Sequence, residues 1–254
     1  MRMNFRHTSV AAIALIFTLG SCSAATRGSE YGYDCPDLPL VAFSLIDISN
    51  GGRDKRLIGE RLDAVQTDAE YVSDCDGTLI VKTWSGSAAN SDLLFAGKLI
   101  TVGATEIGRD RKIPEVVETA MTEIRTNLNT MLSQVSEQGN NLVAGFAIVG
   151  EVAEQYGPSS ASIHATIYSD GISTSGDAQI NKPGLDSEAI AEIVASQRLP
   201  RLDGVQVALL GVGRVGGDVQ PPQDFVELTK LYAKGLCEMT GATCSVFTNT
   251  VGSK

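Results

Sequence analysis

The chain alternates between short apolar runs rich in β-branched residues and longer stretches in which apolar residues recur with helical spacing. The short runs predict strands at 40–47, 78–84, 93–102, 162–169, 204–212 and 244–248. The longer stretches predict helices at 54–73, 112–136, 141–156, 186–197 and 223–240. Within 112–136 the apolar spacings of three and four are typical of an amphipathic helix that packs one face on a core.

Strands that alternate with helices indicate an α/β protein, here a three-layer, doubly wound and mostly parallel six-stranded sheet with helices on both faces. The runs 78–84 and 93–102 have no helix between them, so one of these strands is expected to be an antiparallel edge strand. The intervening "SGSAANSD" is interpreted as a surface turn, with Trp84 packed in the core or at its rim. Ligands of such sheets bind beyond the carboxyl ends of the strands, which directs attention to Asp47 and to the loop 211–217.

The amino terminus has the organisation of an export signal. A basic "MRMNFR" precedes the apolar "VAAIALIFTLG", which is too short to span a bilayer. Residues 19–22, "LGSC", resemble the bacterial lipobox, which implies cleavage before Cys22 and lipidation of its thiol. The expected organisation is a signal peptide at 1–21, a lipidated Cys22 with a tether at 22–36, and a folded domain at 37–254. The expected location is the exported side of a membrane in the bacterial cell envelope. The alternative is an ordinary signal followed by a chance cysteine.

Composition and charge narrow the class of partner. The 254 residues are 43% apolar and carry a net charge of −10, from 20 basic and 30 acidic side chains. A nucleic-acid-binding face needs clustered lysine and arginine, and the sequence contains no such cluster, so no nucleic-acid partner is expected. The acidity is interpreted as a source of solubility, with attraction for cations as the alternative.

Two predicted strand ends each present an aspartate. Asp47-Ile48-Ser49-Asn50-Gly51 follows the first strand, and Ser-Asp-Gly at 169–171 follows "IHATIY". Carboxylate and hydroxyl oxygens are ligands that suit a divalent cation such as Mg²⁺. The order of elements and these two motifs resemble the von Willebrand factor type A domain, over roughly residues 37–250. That family carries a metal-ion-dependent adhesion site with the pattern Asp-x-Ser-x-Ser after the first strand, a threonine from a later loop, and an aspartate from a (T/S)DG end of the fourth strand.

The resemblance implies that Asp47, Ser49 and Asp170 hold Mg²⁺ or Mn²⁺. Gly51 stands where the family has the second serine, and Asn140 in "QGNNLVAGF" stands where it has threonine. An amide oxygen can still ligate, but fewer protein oxygens imply a weaker site. The alternative is that Asp47 and Asp170 cap loops and helix starts and bind nothing.

The resemblance further implies a non-catalytic, membrane-anchored module for adhesion, binding or envelope scaffolding, which engages protein partners through this rim of the sheet. A carboxylate from the partner would complete the coordination of the cation. The alternative is an envelope solute-binding protein or an enzyme that uses the same rim. Enzyme chemistry is not favoured, because His164 precedes Asp170 by six residues, roughly 20 Å at about 3.3 Å per strand residue, and lies toward the opposite end of the sheet.

The stretch "GVGRVG", residues 211–216, fits the literal form of the dinucleotide fingerprint. In that fingerprint the motif opens a helix, whereas here "GDVQPP" intervenes before the next predicted helix. No strand that ends in an acid follows about 20 residues later. No dinucleotide cofactor is therefore expected.

Four cysteines remain beyond Cys22, and an even number in an exported protein implies two disulfides. No Cys-x-x-Cys pair is present, which makes zinc a poor alternative. In the type A family the first two strands are parallel neighbours, so Cys35 and Cys75, which each precede one of them, are expected at the same end of the sheet. Cys237 and Cys244 flank a short helix-to-strand turn. The expected pairs are Cys35–Cys75 and Cys237–Cys244.

Overall fold

The computed structural model describes residues 33–103, 105–134 and 139–249. The elements are, in chain order, β1 (Leu40–Asp47), α1 (Lys55–Asp74), β2 (Thr78–Ser85), β3 (Ser87–Lys98), α2 (Glu106–Asp110), α3 (Ile113–Gln134), α4 (Leu142–Tyr156), β4 (Ser162–Tyr168), α5 (Ser187–Ala195), β5 (Gln206–Leu210), α6 (Gln223–Met239) and β6 (Thr243–Phe247). The expected signal peptide and Cys22 lie outside the described residues. None of the described helices is long and apolar enough to cross a membrane.

The six strands form one sheet in the order β3-β2-β1-β4-β5-β6. β3 pairs antiparallel with β2, and the other neighbours pair in parallel. All eight residues of β1 are buried, the pattern of a central strand that is covered on both faces. The predicted α/β class, with its antiparallel edge strand, is confirmed.

Helices form a layer on each side of the sheet. α4, α5 and α6 cover one face, where Phe43, Phe146 and Ile167 belong to the buried core. α1 and α3 pack on the other face, where Ile46, Val65 and Met121 are buried. This second layer lies mainly over β1, β2 and β3. On the same side, the outward residues of β5 and β6 stay exposed, among them Gln206, Thr243 and Ser245.

The antiparallel edge differs from the sequence prediction. The expected surface turn at 85–92 is reduced to a tight turn at Gly86, whose φ is 67°, and β3 already begins at Ser87. The small polar residues at the start of β3 show no strand pattern in the sequence, but pairing with β2 supplies their backbone hydrogen bonds. The strand also ends at Lys98 rather than at residue 102, and the short α2 was not predicted.

Trp84 is fully buried at the end of β2, as the sequence predicted. Its indole Nε1 donates a hydrogen bond to the backbone oxygen of Asn141, over 3.4 Å. Gly145 of α4 lies against the indole ring, and a Cβ added there would approach Trp84 to 3.3 Å. Trp84 therefore fixes the amino-terminal end of α4 against the sheet.

The structure contains the two disulfides that the sequence analysis expects. Cys35–Cys75 joins the segment before β1 to the end of α1, with its Cα atoms 5.4 Å apart. Cys237–Cys244 joins the last turn of α6 to β6, with its Cα atoms 6.0 Å apart. Both bridges lie toward the amino ends of the strands.

The two disulfides should differ in their contribution to stability. They close segments with sequence separations of 40 and 7 residues. On the chain-entropy model the longer closure contributes about 4 kcal/mol and the shorter about 2–3 kcal/mol. Urea unfolding should therefore show a larger loss for the Cys35→Ser/Cys75→Ser double variant than for Cys237→Ser/Cys244→Ser. A larger loss for the second pair would contradict this prediction.

Candidate functional site

Asp47 ends the central strand and is fully buried. The chain turns immediately afterwards, so that the backbone N–H of Ser49 donates to Asp47 Oδ1 over 2.8 Å. The N–H of Gly52 then donates to the carbonyl of Ser49 over 2.9 Å. This local turn holds the Asp47 carboxylate at the carboxyl end of the sheet.

The second carboxylate comes from the neighbouring strand. Ile46 of β1 is in register with Tyr168 of β4, so the two strands end side by side. Asp170 lies just beyond this point and is 4% exposed. Its Oδ1 accepts from the backbone N–H of Ile172 over 2.9 Å. The loop after β5 rests on the same residue, since the N–H of Gly213 donates to the Asp170 carbonyl over 2.8 Å.

Asn140 bridges the two carboxylates. Its Nδ2 lies 2.9 Å from Asp47 Oδ2, 3.0 Å from Asp170 Oδ1 and 2.8 Å from Ser169 Oγ. One amide NH₂ group has two hydrogens for these three acceptors. The Ser169 hydroxyl donates in turn to Asp47 Oδ2 over 2.9 Å. The Asn140 Oδ1 is buried and has no hydrogen-bond partner among the described residues.

The structure thus brings Asp47, Asn140 and Asp170 into direct contact, with Ser49 in the adjoining turn. Ser49 is 2% exposed, and its hydroxyl makes no hydrogen bond within the described part of the chain. Ser169 was not among the predicted site residues. Its place directly before Asp170 in the Ser-Asp-Gly motif is a signal that could have identified it.

Gly51 has a steric role. Its φ is not in the left-handed region, so no special backbone conformation requires a glycine there. A Cβ at this position would lie 2.6 Å from Asp170 Oδ2. A serine side chain at residue 51 would therefore displace the Asp170 carboxylate.

A buried arginine lies beneath the two carboxylates. Arg61 of α1 is 1% exposed, and its Nη1 donates to the carbonyls of Asp47 and Gly52 over 2.5 and 2.9 Å. Burial lowers the pKa of Arg61, while the charges of Asp47 and Asp170 raise it. A guanidinium this deep is rare unless it is paired, so Arg61 partly compensates the negative charge of the site.

The electrostatic balance remains negative around Asp170. Burial first, and the neighbouring Asp47 second, raise the pKa of Asp170 from 3.8 to about 7. The hydrogen bond from Ile172 and the charge of Arg61 oppose this rise but do not cancel it. A bound proton or a bound cation would relieve the excess charge.

The cluster is reached from outside through an open depression of about 300 Å³. Ser49, Asn140 and Asp170 form part of its floor, and Val215 lines its side. A group from another molecule can therefore approach the polar cluster from the solvent.

His164 and the glycine-rich segment 211–216 are not part of the polar cluster. His164 is in register with Ala42, five residues before Asp47, and its Nε2 lies 3.1 Å from Ser162 Oγ. It is remote from the cluster, as predicted. The segment 211–216 opens no helix, since α6 begins only at Gln223. Its Val212 is fully buried against the core.

A second group of potential metal ligands consists of Cys35, Asp74 and Cys75. The two sulfurs are joined in a disulfide, so neither is a thiolate. Since a metal binds cysteine as the thiolate, this group is not a metal site.

No family model matches the chain, and no curated protein matches it in sequence. Solved structures do resemble it. BatB from Bacteroides thetaiotaomicron is 16% identical, covers 85% of this chain and 91% of its own, and has a TM-score of 0.43. A von Willebrand factor type A protein from Catenulispora acidiphila is 14% identical, with coverages of 80% and 42% and a TM-score of 0.41. The manganese-loaded Plasmodium vivax TRAP protein is 12% identical, with coverages of 78% and 73% and a TM-score of 0.39.

The fold resembles that of these proteins. The sheet of this chain has β1 at its centre, an antiparallel edge and helices on both faces. The Asp47–Asp170 cluster lies where the sequence analysis expects a site in such a sheet, beyond the carboxyl ends of the strands.

The raised pKa of Asp170 predicts a pH dependence of stability in a chelator-containing buffer. The folded protein keeps the Asp170 proton up to about pH 7, whereas the unfolded chain releases it near 3.8. The stability from this group is therefore fully present below the unfolded pKa and is lost as the pH rises toward the folded pKa. Asp170→Asn cannot ionise, so its free energy of unfolding in urea should fall less across this window than that of the wild type. Equal pH dependence in both proteins would contradict the prediction.

Proposed function

We propose that the chain is a non-catalytic, membrane-anchored binding module of the bacterial cell envelope, which engages a protein partner through the rim around Asp47 and Asp170. We propose further that the contact depends on Mg²⁺ or Mn²⁺. The observation that carries the proposal is the pair of buried carboxylates, held together by the Asn140 amide beneath an open depression.

The residues of the cluster fit a divalent cation. Asp47 and Asp170 supply carboxylate oxygens, and Ser49 supplies a hydroxyl that no other described group engages. Once Asp170 has lost its proton, two carboxylates against the single charge of Arg61 leave a net negative site. Hard oxygen donors with excess negative charge are the setting that Mg²⁺ and Mn²⁺ prefer.

Asn140 fits both the cation-free and the cation-bound arrangement. Its Nδ2 faces the carboxylates, while its Oδ1 is buried without a partner. A half-turn of the amide about Cβ–Cγ would exchange the two atoms. An oxygen facing two carboxylates is repelled unless a cation lies between them. Asn140 is therefore proposed to donate hydrogen bonds in the cation-free site and to offer Oδ1 as a ligand when a cation is present.

The proposed affinity is weak. Gly51 supplies no hydroxyl, and a larger residue there would have to displace the Asp170 carboxylate. The buried charge of Arg61 also opposes a second cation nearby. Mg²⁺ keeps its waters readily and gains little from a partial set of ligands. A carboxylate from a partner protein, entering the depression, would add the missing donor and strengthen both contacts.

The proposed tether would join the domain at the end opposite to the cluster. Cys35 is tied to Cys75 at the amino ends of the strands, close to the point where the tether would join the domain. The cluster lies at the carboxyl ends. A lipid on Cys22 would therefore leave the rim directed away from the membrane surface and accessible to a partner.

Non-catalytic binding is favoured by the chemistry of the rim. Ser49 and Ser169 are hydroxyl groups without a histidine beside them, and His164 lies toward the amino end of β4. Within the described residues, all four cysteines are in disulfides. Turnover of a substrate by the purified protein would instead favour an enzyme.

Titration calorimetry tests the proposal. The wild type should release heat with millimolar Mg²⁺ or Mn²⁺, and Asp47→Ala should abolish it by removing one of two charged ligands. Asp177→Ala is the matched control, because Asp177 is an exposed aspartate of the loop after the cluster. The wild type and Asp177→Ala should capture a partner from solubilised membranes, whereas Asp47→Ala should not. Addition of chelator should abolish the capture. Absence of heat, together with capture that is indifferent to chelator and to Asp47→Ala, would overturn the cation-dependent function.

A further inference from the structure

A second polar cavity lies on the face of the sheet that α1 and α3 cover only in part. It has a volume of about 190 Å³ and shares no lining residue with the depression at the rim. Its floor consists of two neighbouring rows of in-register residues that cross β1, β4, β5 and β6. These rows are Ala42, His164, Gln206 and Thr243, and next to them Thr166, Ala208 and Ser245.

Asp68 of α1 projects over this floor. Its Oδ2 accepts hydrogen bonds from Ser44 Oγ over 2.7 Å and from the Tyr168 hydroxyl over 2.8 Å. Both donors are neutral, and both reach the same oxygen. Across the described residues, Oδ1 receives no hydrogen bond and Asp68 has no ion pair, while Asp68 lines the cavity.

No charged group of opposite sign lines this cavity among the residues that the structure describes. His164 is the one titratable base there, and burial lowers its pKa, which favours the neutral imidazole. Burial likewise raises the pKa of Asp68, and its two hydroxyl bonds only partly oppose the rise. A carboxylate in this position gains from any cation that can reach it.

The surroundings suit an organic cation. The rings of Tyr71 and His164 both line the cavity, with their centroids 5.8 Å apart. Aromatic faces attract alkylammonium groups. The hydroxyls of Thr166, Thr243 and Ser245 can accept the remaining N–H bonds of such a group.

We propose that this cavity binds a primary ammonium group, of a small amine or of a lysine side chain, with Asp68 Oδ1 as its charged partner. A guanidinium fits less well, because its paired donors need two free oxygens and Oδ2 is already occupied twice. A divalent metal fits less well because one carboxylate oxygen is too few. The proposal is independent of the cation site at the rim.

The test is a titration with n-butylammonium, in chelator, followed by ¹H–¹⁵N chemical-shift changes in β4 and β5. n-Butanol has a similar shape without the charge and should cause no saturable change. Asp68→Asn keeps an acceptor for Ser44 and Tyr168 but loses the charge, so the affinity should fall at least about tenfold. Asp63→Asn, an exposed aspartate of the same helix, is the matched control and should bind like the wild type.

A second arm separates the two sources of the ammonium group. A short peptide with one lysine is compared with the same peptide carrying Nε-acetyl-lysine. If the lysine peptide binds and the acetyl-lysine peptide does not, the ligand is supported to be a protein side chain. If butylammonium binds and neither peptide does, a small amine is supported. Absence of binding by both butylammonium and the lysine peptide, or equal binding by wild type and Asp68→Asn, would overturn the proposal.

Discussion

The architecture of the rim depends on one electrostatic constraint, namely that Asp47 and Asp170 are both buried and share one hydrogen-bond donor. Removing two carboxylates from water costs free energy, and their mutual repulsion adds to that cost. The surrounding groups offset the cost in different ways. Asn140 donates to both carboxylates, Ser169 donates to Asp47, and Arg61 places a positive charge beneath them.

The fold brings the two carboxylates together and also positions the groups that stabilise them. Parallel pairing of β1 with β4 brings the two strand ends together, so each strand delivers one aspartate to the same place. α1 follows the turn after β1 and returns beneath it, which brings Arg61 to the carbonyls of Asp47 and Gly52. Gly52 leaves room for this contact, because a Cβ there would collide with the Asp47 carbonyl oxygen. Gly52 and Arg61 therefore both help to hold two negative charges close together.

Much of the fold follows from patterns that are local in sequence. The buried run of β1 and the amphipathic spacing of α3 each predict their own element. The first half of β3, residues 87–92, did not follow, because its small polar residues carry no strand pattern and are extended only through pairing with β2. Asp47 and Asp170 were identified as acids at predicted strand ends, and Asn140 by resemblance to a family. Gly51 was interpreted as a lost ligand, and only the structure shows that Asp170 occupies the space of its side chain.

The burial and the partners of Arg61 and Asp68 could not be predicted from the sequence. Both are charged residues of one amphipathic helix, and such residues are ordinarily exposed. Their partners are backbone carbonyls for Arg61 and the hydroxyls of Ser44 and Tyr168 for Asp68. Tyr168 is 100 positions from Asp68 in sequence, so no local pattern could reveal that contact.

We propose that Asp47, Asn140 and Asp170 together form a cation site. Crystals grown with Mn²⁺, with diffraction recorded at the manganese absorption edge, test it most directly. We expect an anomalous peak between Asp47 and Asp170, with Asn140 Oδ1 turned toward the metal and Ser49 Oγ beside it. A map without a peak at this position at millimolar Mn²⁺, with Asn140 Nδ2 still bonded to both carboxylates, would contradict it.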